Sequence, residues 1–440
     1  MTSVRPGPWD PDRRWADPLI TFLGLAALLA SLLVLRGRHQ VQAAPLDHAS
    51  LQGRLVEMAV GGAQALGKTP VPWRTAETQA TEPWDQAVLA VLMAEGGDRE
   101  SARRLAQVPK GAIGDWYRRA FAAAYDGAPL PGRGVRQEVQ RRLGNGYAAN
   151  LLEARLEDRE GSGEARRTAA RKALRARFAG FAALGSLLTV LTLGGVAAGI
   201  HLWVTRKRPP LRPLPAWHLS ERAAALIFLL WFLAFFASGN LAVLLLAPWP
   251  SLRWVVLPLA SLAHAVVGIA LLARAEGASF GELWRRVAPA PTAKDLSWGA
   301  AGLALAVALV TAAALLASLI LPPEQNPQRE LQELLRGLSG WAPTLAMFAV
   351  VAGLAPVFEE FFFRGFILPV VARRGGLGLA LVGSALLFAA IHLQPAGLPA
   401  LGTLGFVLGL AFWRTGSLWP AILIHACWNG TLFCVMRALA

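Results

Sequence analysis

Long apolar runs, separated by short polar loops, recur along most of this sequence. Several reach the roughly 17–25 residues that an α-helix needs to cross a bilayer. Tryptophans lie at the ends of many runs, for example Trp203, Trp341 and Trp419, as expected for side chains at the membrane interface. The pattern predicts an all-α, polytopic transmembrane helical bundle of about nine spans. The predicted spans are approximately 18–35, 179–204, 223–247, 254–273, 297–321, 343–371, 377–394, 398–413 and 418–437.

A mostly polar segment, residues 37–177, separates the first two predicted spans. Apolar residues recur there at three- and four-residue spacing, between Gly- and Pro-rich breaks, which is typical of short amphipathic helices. The clearest predicted helices are Leu51–Leu66, Trp84–Ala94, Trp116–Tyr125 and Val135–Leu143. We therefore expect three parts. They are an N-terminal segment with the first span at 1–36, a small soluble helical domain at 37–177 and a multi-span membrane domain at 178–440. The segment shows no fixed repeat period and no catalytic pattern, so its sequence does not indicate its role.

The first apolar run has two interpretations. Arg13 and Arg14 precede it, and Val41-Gln42-Ala43 resembles a cleavage site, as in a secretory signal peptide. However, the run is about 17 residues long, and Arg36 and Arg38 separate it from that site, which favours an uncleaved membrane anchor. The signal peptide stays as the alternative.

The composition, 55% hydrophobic and 16% charged, fits a membrane protein, and the placement of charge predicts its orientation. The net charge of +15 lies mainly in loops beside the spans, which argues against nucleic-acid binding. The basic loops are at 205–212, 274–294, 373–374 and 414; they alternate with basic-poor or mixed-charge loops near 248, 395 and at 322–340. By the positive-inside rule, the basic loops are cytoplasmic. Residues 166–177 are also basic on the predicted outer side, but long loops translocate largely regardless of charge.

Three ionisable side chains interrupt the apolar segment that runs from about Trp341 to Val371. A charge at the centre of a membrane helix costs roughly 2.5–3.5 kcal/mol on insertion scales, so such residues are usually functional. Glu360 and Arg364 are four residues apart with the acid first, which predicts an ion pair. Glu359 lies about 100° away around the helix and has no basic residue at that spacing. We therefore expect Glu359 to be the unpaired carboxylate and a candidate general base.

Two later spans carry further polar groups. His392 ends one span, and His425 and Asn429 are four residues apart on another. At 1.5 Å per residue, these three residues and Glu359 all lie about 11–22 Å from the cytoplasmic ends of their helices. Because unpaired polar groups in a membrane are costly, a shared, water-containing cavity explains their similar depth. Taken alone, His425 and Asn429 are equally consistent with hydrogen bonds between helices.

The polar residues form three short motifs on successive spans. They are EExxxR (Glu359, Glu360, Arg364), FxxxH (Phe388, His392) and HxxxN (His425, Asn429). In this order and at this spacing, the motifs closely resemble those of the CPBP family, which contains type II CAAX prenyl endopeptidases and bacteriocin-processing or Abi proteins. The resemblance covers about 220–437, most firmly 341–437, and does not reach the domain at 37–177.

The resemblance implies an intramembrane endopeptidase. In this family the first Glu and the second-motif His, here Glu359 and His392, activate a water for attack on the peptide carbonyl. The third-motif pair, here His425 and Asn429, is placed to stabilise the oxyanion. We expect supporting roles for Glu360, Arg364 and Phe388.

The metal requirement is open at this stage. The sequence has no HExxH motif and therefore no zincin helix, and we favour a mechanism without a cofactor. Glu359, His392 and His425 are nevertheless a set of residue types that zinc accepts. A zinc-dependent version of the same protease is therefore an alternative.

Two other classes of function stay open, a proton-coupled transporter and a non-catalytic scaffold or immunity protein. A transporter would be expected to show inverted internal repeats, and none is evident. We expect the partners to be the lipid bilayer and a membrane-associated peptide or protein substrate, with no nucleic acid. Only five of the 43 basic residues are lysines, which indicates a GC-rich prokaryotic genome. We therefore expect a prokaryotic cell (inner) membrane and a substrate that is not prenylated.

The charge pattern makes a testable prediction of topology. We expect loops 205–212 and 373–374 to be cytoplasmic and residues 37–177 to be extracytoplasmic. After replacement of Cys427 and Cys434 by Ala, a membrane-impermeant thiol reagent in intact cells should label Gln137→Cys but not Lys207→Cys. Labelling of Lys207→Cys alone would mean that the orientation is inverted.

Overall fold

The computed structural model is helical throughout the part of the chain that it describes, with no β-strand there. The residues it describes are 16–43, 51–65, 73–80, 82–107, 114–132, 137–139, 143, 146–158, 163–246, 249, 252–320, 335, 338 and 340–439. Seven helices in this part are long and apolar enough to cross a membrane, judged by length and composition. They are Gly163–Val204, Glu221–Gly239, Pro258–Glu276, Ala293–Ser318, Trp341–Ile391, Pro395–Thr415 and Leu418–Ala438. The predicted all-α polytopic bundle is confirmed, and the protein is an integral multi-pass membrane protein.

The chain divides into two compact units. One contains residues 43–187 with 439–440, and the other contains 1–42 with 188–438. In the first unit the helices are α2 (Leu51–Ala65), α3 (Trp73–Gln79), α4 (Pro83–Glu95), α5 (Arg99–Gln107), α6 (Gly114–Tyr125), α7 (Tyr147–Asp158) and the first part of α8 (Gly163–Val204). The predicted helix Val135–Leu143 lies largely outside the described residues.

Polar groups inside the first unit are paired within it. The fully buried Tyr117 hydroxyl donates to the Ala87 carbonyl at 2.6 Å. Arg155 donates to both carboxylate oxygens of Glu95, at 2.6 and 3.2 Å, and Tyr125 donates to the same carboxylate. Burial raises the pKa of Tyr117 and of Tyr125 well above the usual range. Both phenols therefore remain neutral hydrogen-bond donors.

The membrane unit begins with α1 (Ala16–Ala43) and the end of α8, and its described residues continue through eleven further helical segments and one 3₁₀ turn. They are α9 (Glu221–Leu246), α10 (Arg253–Glu276), α11 (Phe280–Val287), α12 (Ala293–Ser318), α13 (Trp341–Phe348), a π-helix (Ala349–Leu354), α14 (Ala355–Glu360), a second π-helix (Phe361–Ile367), α15 (Leu368–Ile391) and, after a short 3₁₀ turn (Pro395–Gly397), α16 (Leu398–Thr415) and α17 (Leu418–Leu439). The apolar part of α1, Asp17–Leu32, is shorter than the seven candidate spans. Its crossing of the membrane stays a prediction.

One helical stretch, Trp341–Ile391, contains two of the predicted spans, 343–371 and 377–394. At Gly376 its backbone leaves the helical region, with φ 73° and ψ 168°, a conformation that glycine adopts readily. The rings of Phe363 and Phe388 lie 5.5 Å apart, whereas a continuous helix would separate them by about 37 Å. The chain therefore turns back at Gly376, and the stretch forms two packed helices.

The loops predicted to be cytoplasmic meet at one end of the membrane unit. The Leu211 N–H donates to the Arg414 carbonyl at 2.8 Å. Arg373 donates to the carbonyl of Trp217 at 2.7 Å, and the indole of Trp419 donates to the carbonyl of Pro289 at 2.8 Å. The structure thus gathers the basic loops on one side of the bundle, as alternating topology requires.

A buried carboxylate anchors this loop cluster. Asp295 is fully buried and accepts from Arg212 at 2.9 and 3.1 Å. It also caps the start of α12 through the backbone N–H and the hydroxyl of Thr292. The pKa of Arg212 is raised, and the hydrogen bond to Asp295 is the main cause. Arg212 therefore joins loop 205–220 to the N-terminus of α12.

Arg212→Ala should destabilise the membrane unit because it leaves the buried Asp295 carboxylate without its cation. We expect a loss of about 1–3 kcal/mol in the free energy of unfolding, measured by thermal unfolding of the purified protein. The matched control is Arg374→Ala. Its side chain is 80% exposed and pairs with the half-exposed Glu221, so the effect should stay within about 0.5 kcal/mol. Equal losses in the two variants would contradict the anchoring role.

Candidate active site

Glu359 and Glu360 lie on a short α-helical segment between two π-helices, a type of helix defect that is frequent at functional sites. At the end of the first π-helix, the Ala355 N–H donates to the Val350 carbonyl five residues earlier. Pro356 follows and has no N–H, so it cannot donate to the next carbonyl, that of Val351. The side-chain amide of Asn429 donates to the Val351 carbonyl instead, at 3.1 Å.

The second π-helix is followed by a proline in the same way. The Leu368 N–H donates to the Phe363 carbonyl, and Pro369 then supplies no donor. The carbonyl of Gly365, four residues before Pro369, accepts from the indole N–H of Trp217 at 2.9 Å. A proline thus follows each π-helix, and a side chain from elsewhere in the fold donates to a carbonyl four or five residues before that proline.

Glu360, Arg364 and His425 form a buried, hydrogen-bonded cluster. The Glu360 and Arg364 side chains are fully buried, and Arg364 Nη1 donates to Glu360 Oε1 at 2.9 Å. Arg364 Nη2 donates to the Gly405 carbonyl of α16 at 3.0 Å. His425 Nδ1 lies 2.8 Å from the same Glu360 oxygen. The spacing of the sequence predicted the Glu360–Arg364 pair, but nothing in it indicated the contact with His425.

The contact with Glu360 determines the orientation of the His425 ring. An ionised carboxylate accepts hydrogen bonds and cannot donate them, so we assign the proton of this bond to His425 Nδ1. The other ring nitrogen, Nε2, then points towards Glu359, with 3.8 Å between it and Glu359 Oε2. This separation is longer than an N–H···O hydrogen bond.

Glu359 is the less constrained of the two acids. Its side chain is 23% exposed, whereas that of Glu360 is fully buried. Oε2 of each acid is buried and has no hydrogen-bond partner among the described residues, and it is Oε2 of Glu359 that faces His425 Nε2. One carboxylate is therefore held rigidly, and its neighbour keeps an oxygen with free acceptor capacity that faces His425.

Phe388 packs between the polar side chains. Its fully buried ring lies 4.9 Å from the His392 ring and 5.6 Å from the His425 ring. The Arg364 guanidinium carbon lies 4.4 Å from the Phe388 ring centroid, within cation–π range. Phe388 thus brings the FxxxH segment against the other two motifs.

His392 lies at the C-terminal end of α15, where the chain leaves the helix. Its Nδ1 is 2.8 Å from the Phe388 carbonyl, which can only accept, so Nδ1 carries the proton and Nε2 is an acceptor in the neutral ring. The next residue, Leu393, has a φ of 51°, a left-handed conformation that is uncommon outside glycine. Local strain of this kind often accompanies functional sites.

The site residues gather from the three motifs, with the predicted Glu360–Arg364 pair and with further contacts that the sequence did not indicate. Glu359, Glu360, Arg364, Phe388, His392 and His425 are linked by the contacts described above. Asn429 uses an amide N–H on Val351. The helix that carries Glu359, Glu360 and Arg364 is here called the motif helix. Trp217 and Gly405 also contact it, and these contacts were not predicted. Pro369, which supplies no backbone donor, could have indicated the Trp217 contact, but no sequence signal indicated the Gly405 contact.

The zinc alternative requires Glu359, His392 and His425 to converge on one point. In the described part of the chain, no three His, Cys, Asp or Glu side chains are grouped so that they could hold a metal ion. Nδ1 of His392 bonds to a backbone carbonyl and Nδ1 of His425 bonds to Glu360, and contacts of this kind also orient metal-ligating histidines. The zinc-dependent version of the protease stays an alternative prediction.

Comparison with known proteins adds one match. Residues 341–431 match the family model described as Rce1-like, type II CAAX prenyl endopeptidase Rce1-like. No curated protein and no solved structure matches the chain. The matched residues include all three motifs, from Glu359 to Asn429. The match therefore supports the resemblance of residues 341–431 to the CPBP family of intramembrane proteases.

Proposed function

We propose that the protein is an intramembrane endopeptidase that hydrolyses peptide bonds of membrane-associated peptides or proteins. One observation carries the proposal. The buried Glu360–Arg364–His425 cluster leaves Glu359 as a partly exposed carboxylate that faces a fixed imidazole. A free base beside an oriented ring is the arrangement that activation of a water requires.

In the proposed reaction, Glu359 acts as the general base. A water lies against its free oxygen and His392 Nε2, and the water oxygen attacks the peptide carbonyl carbon while its proton moves to Glu359. The tetrahedral intermediate then collapses as the C–N bond breaks, and the proton passes from Glu359 to the leaving amine. Only water and peptide are consumed, and the products are a carboxylic acid and an amine.

His425 and Asn429 are the proposed oxyanion donors. Because Nδ1 of His425 donates to Glu360, only the imidazolium form of the ring can also donate from Nε2. The Asn429 amide has two N–H groups. One donates to Val351, and the second is available for the developing oxyanion.

Glu360 has a wider role in this proposal than pairing with Arg364. It holds His425, which faces the base Glu359, in one orientation, as the carboxylate of a catalytic triad does for its imidazole. Arg364 pairs with Glu360 and links it to α16 through the Gly405 carbonyl. Glu360 and Arg364 are therefore positioning residues, whereas Glu359, His392, His425 and Asn429 contact the reacting groups.

The direct test is cleavage of a membrane-inserted peptide by the purified full-length protein, followed by mass spectrometry. Wild type should yield two fragments, and Glu359→Gln, purified in parallel, should not. Addition of a chelator should leave the rate unchanged. A rate that falls with chelator and recovers with zinc would favour the zinc-dependent version of the protease.

The paired acids should respond differently to the same substitution. Glu359→Gln should lower turnover by about 10²–10⁴-fold, the usual contribution of a general base, with little change in thermal stability because the side chain is partly exposed. Glu360→Gln should lower stability by about 3–5 kcal/mol because it leaves Arg364 buried and unpaired. Peptide cleavage and thermal unfolding, measured on both variants, separate these effects.

A double variant provides the control for the acid pair. Glu360→Gln combined with Arg364→Gln should recover part of the stability that Glu360→Gln loses, but not the activity, since His425 stays unoriented. Full activity in Glu359→Gln would remove Glu359 from the mechanism. An inactive Glu360→Gln of unchanged stability would mean that the two roles are exchanged.

Asn429→Ala should have two separable effects. Turnover should fall about 10²–10³-fold through loss of an oxyanion donor. Stability should fall by about 1 kcal/mol because the Val351 carbonyl loses its partner. Pro356→Ala supplies a backbone N–H that can satisfy Val351, so in this background Asn429→Ala should cost less stability. The loss of activity should persist there; if both losses disappear together, Asn429 is only structural.

A further inference from the structure

A cavity of about 380 Å³ lies in the membrane unit between α8, α12 and α16. Its lining is mostly aliphatic, with Ala198, Leu305 and Ala411 as examples, and His201 and Trp298 are among the few polar or amphipathic side chains. None of the motif residues lines it. The cavity is therefore separate from the candidate active site.

Small residues fix the walls of this cavity. An added Cβ at Gly195 of α8 would overlap the carbonyl of Ala304 on α12, and one at Gly302 would overlap the side chain of Ile424 on α17. Such close backbone approach through small residues is typical of helix pairs in membranes. Because the helices meet tightly beside the cavity, the space is part of the packed bundle and not a gap between loose elements.

The cavity lies at the end of the bundle that carries the basic loops. His201 is one helical turn before Thr205, and Ala411 is about one turn before Arg414. Lys294 is exposed and one turn before Trp298 on α12. The exposed side chains of Arg206 and Lys207 directly follow α8. An apolar cavity thus ends beneath a cluster of cations.

Arg414 is an unbalanced cation at this end. It is 4% exposed, and its Nη atoms donate to the carbonyls of Thr205 and Arg208 at 2.9 and 2.8 Å. Its Nε has no hydrogen-bond partner within the described residues, and no carboxylate among them pairs with it. Its Cζ lies 6.0 Å from the Trp298 ring that lines the cavity. A nearby negative charge would therefore be stabilised.

We propose that this cavity binds an anionic phospholipid of the leaflet that contacts the basic loops. One acyl chain fills the apolar space, and the phosphate lies at the mouth, near Arg206, Lys207 and Lys294. Basic residues next to a membrane span attract anionic lipids, and the buried charge of Arg414 adds to this potential. A zwitterionic lipid would place a chain in the cavity but would gain little from the cations.

Photo-crosslinking of the wild-type protein tests the site without any substitution. The full chain is reconstituted in phosphatidylcholine nanodiscs with a trace of phosphatidylglycerol that carries a diazirine on one acyl chain. After irradiation, mass spectrometry should find the label on α8, α12 and α16 around the cavity. Excess phosphatidylglycerol should remove the label and excess phosphatidylcholine should not. Equal competition by the two lipids, or labelling only elsewhere, would overturn the proposal.

Two kinds of variant test the chain and the headgroup separately. Ala301→Phe fills the cavity and should abolish most labelling there. Lys207→Gln and Lys294→Gln should each weaken phosphatidylglycerol binding about fivefold, the effect of one basic charge near a membrane surface. The matched control, Arg285→Gln, removes an exposed charge from α11 and should leave binding unchanged. Competition by a lipidated peptide, but not by phosphatidylglycerol, would instead make the cavity a substrate-chain site.

Discussion

The Glu360 carboxylate is buried in the centre of the bundle and accepts both Arg364 and His425 on one oxygen. Charge at this depth is costly unless it is paired and hydrogen-bonded, so the helices that carry the partners must meet at this point. Arg364 also donates to the Gly405 carbonyl, which brings α16 into the same arrangement. A single carboxylate therefore couples the motif helix, α16 and α17, and the orientation of His425 towards Glu359 follows from this coupling.

Helix defects on either side of the acidic pair extend the same constraint. Pro356 and Pro369 each follow a π-helix and remove a backbone donor, and the bilayer interior offers no water to replace it. Asn429 and Trp217 supply the missing donors. Asn429 thus bonds the motif helix to α17, and Trp217 bonds it to the loop before α9. A regular helix would need no such contacts and would hold the two acids less firmly.

Much of the fold could be predicted because the bilayer imposes length and hydropathy on every span. The apolar runs located the helices, and the basic loops that alternate along the chain do gather at one end of the bundle. The sequence also predicted a break between the spans 343–371 and 377–394, and the structure locates it at one residue. At Gly376 a left-handed φ turns the chain back within one apolar stretch, and a glycine in a sequence permits such a turn without requiring it.

Some contacts of the site follow from the sequence alone, and others depend on the tertiary structure. The sequence by itself determined the Glu360–Arg364 pair, because residues four apart on a helix are neighbours in any fold. It also separated Glu359 from that pair by the helical repeat. Only the tertiary structure decided that His425 bonds to Glu360 and that Asn429 reaches Val351. Such contacts join helices distant along the chain, and the packing and rotation of those helices decide which polar atoms meet.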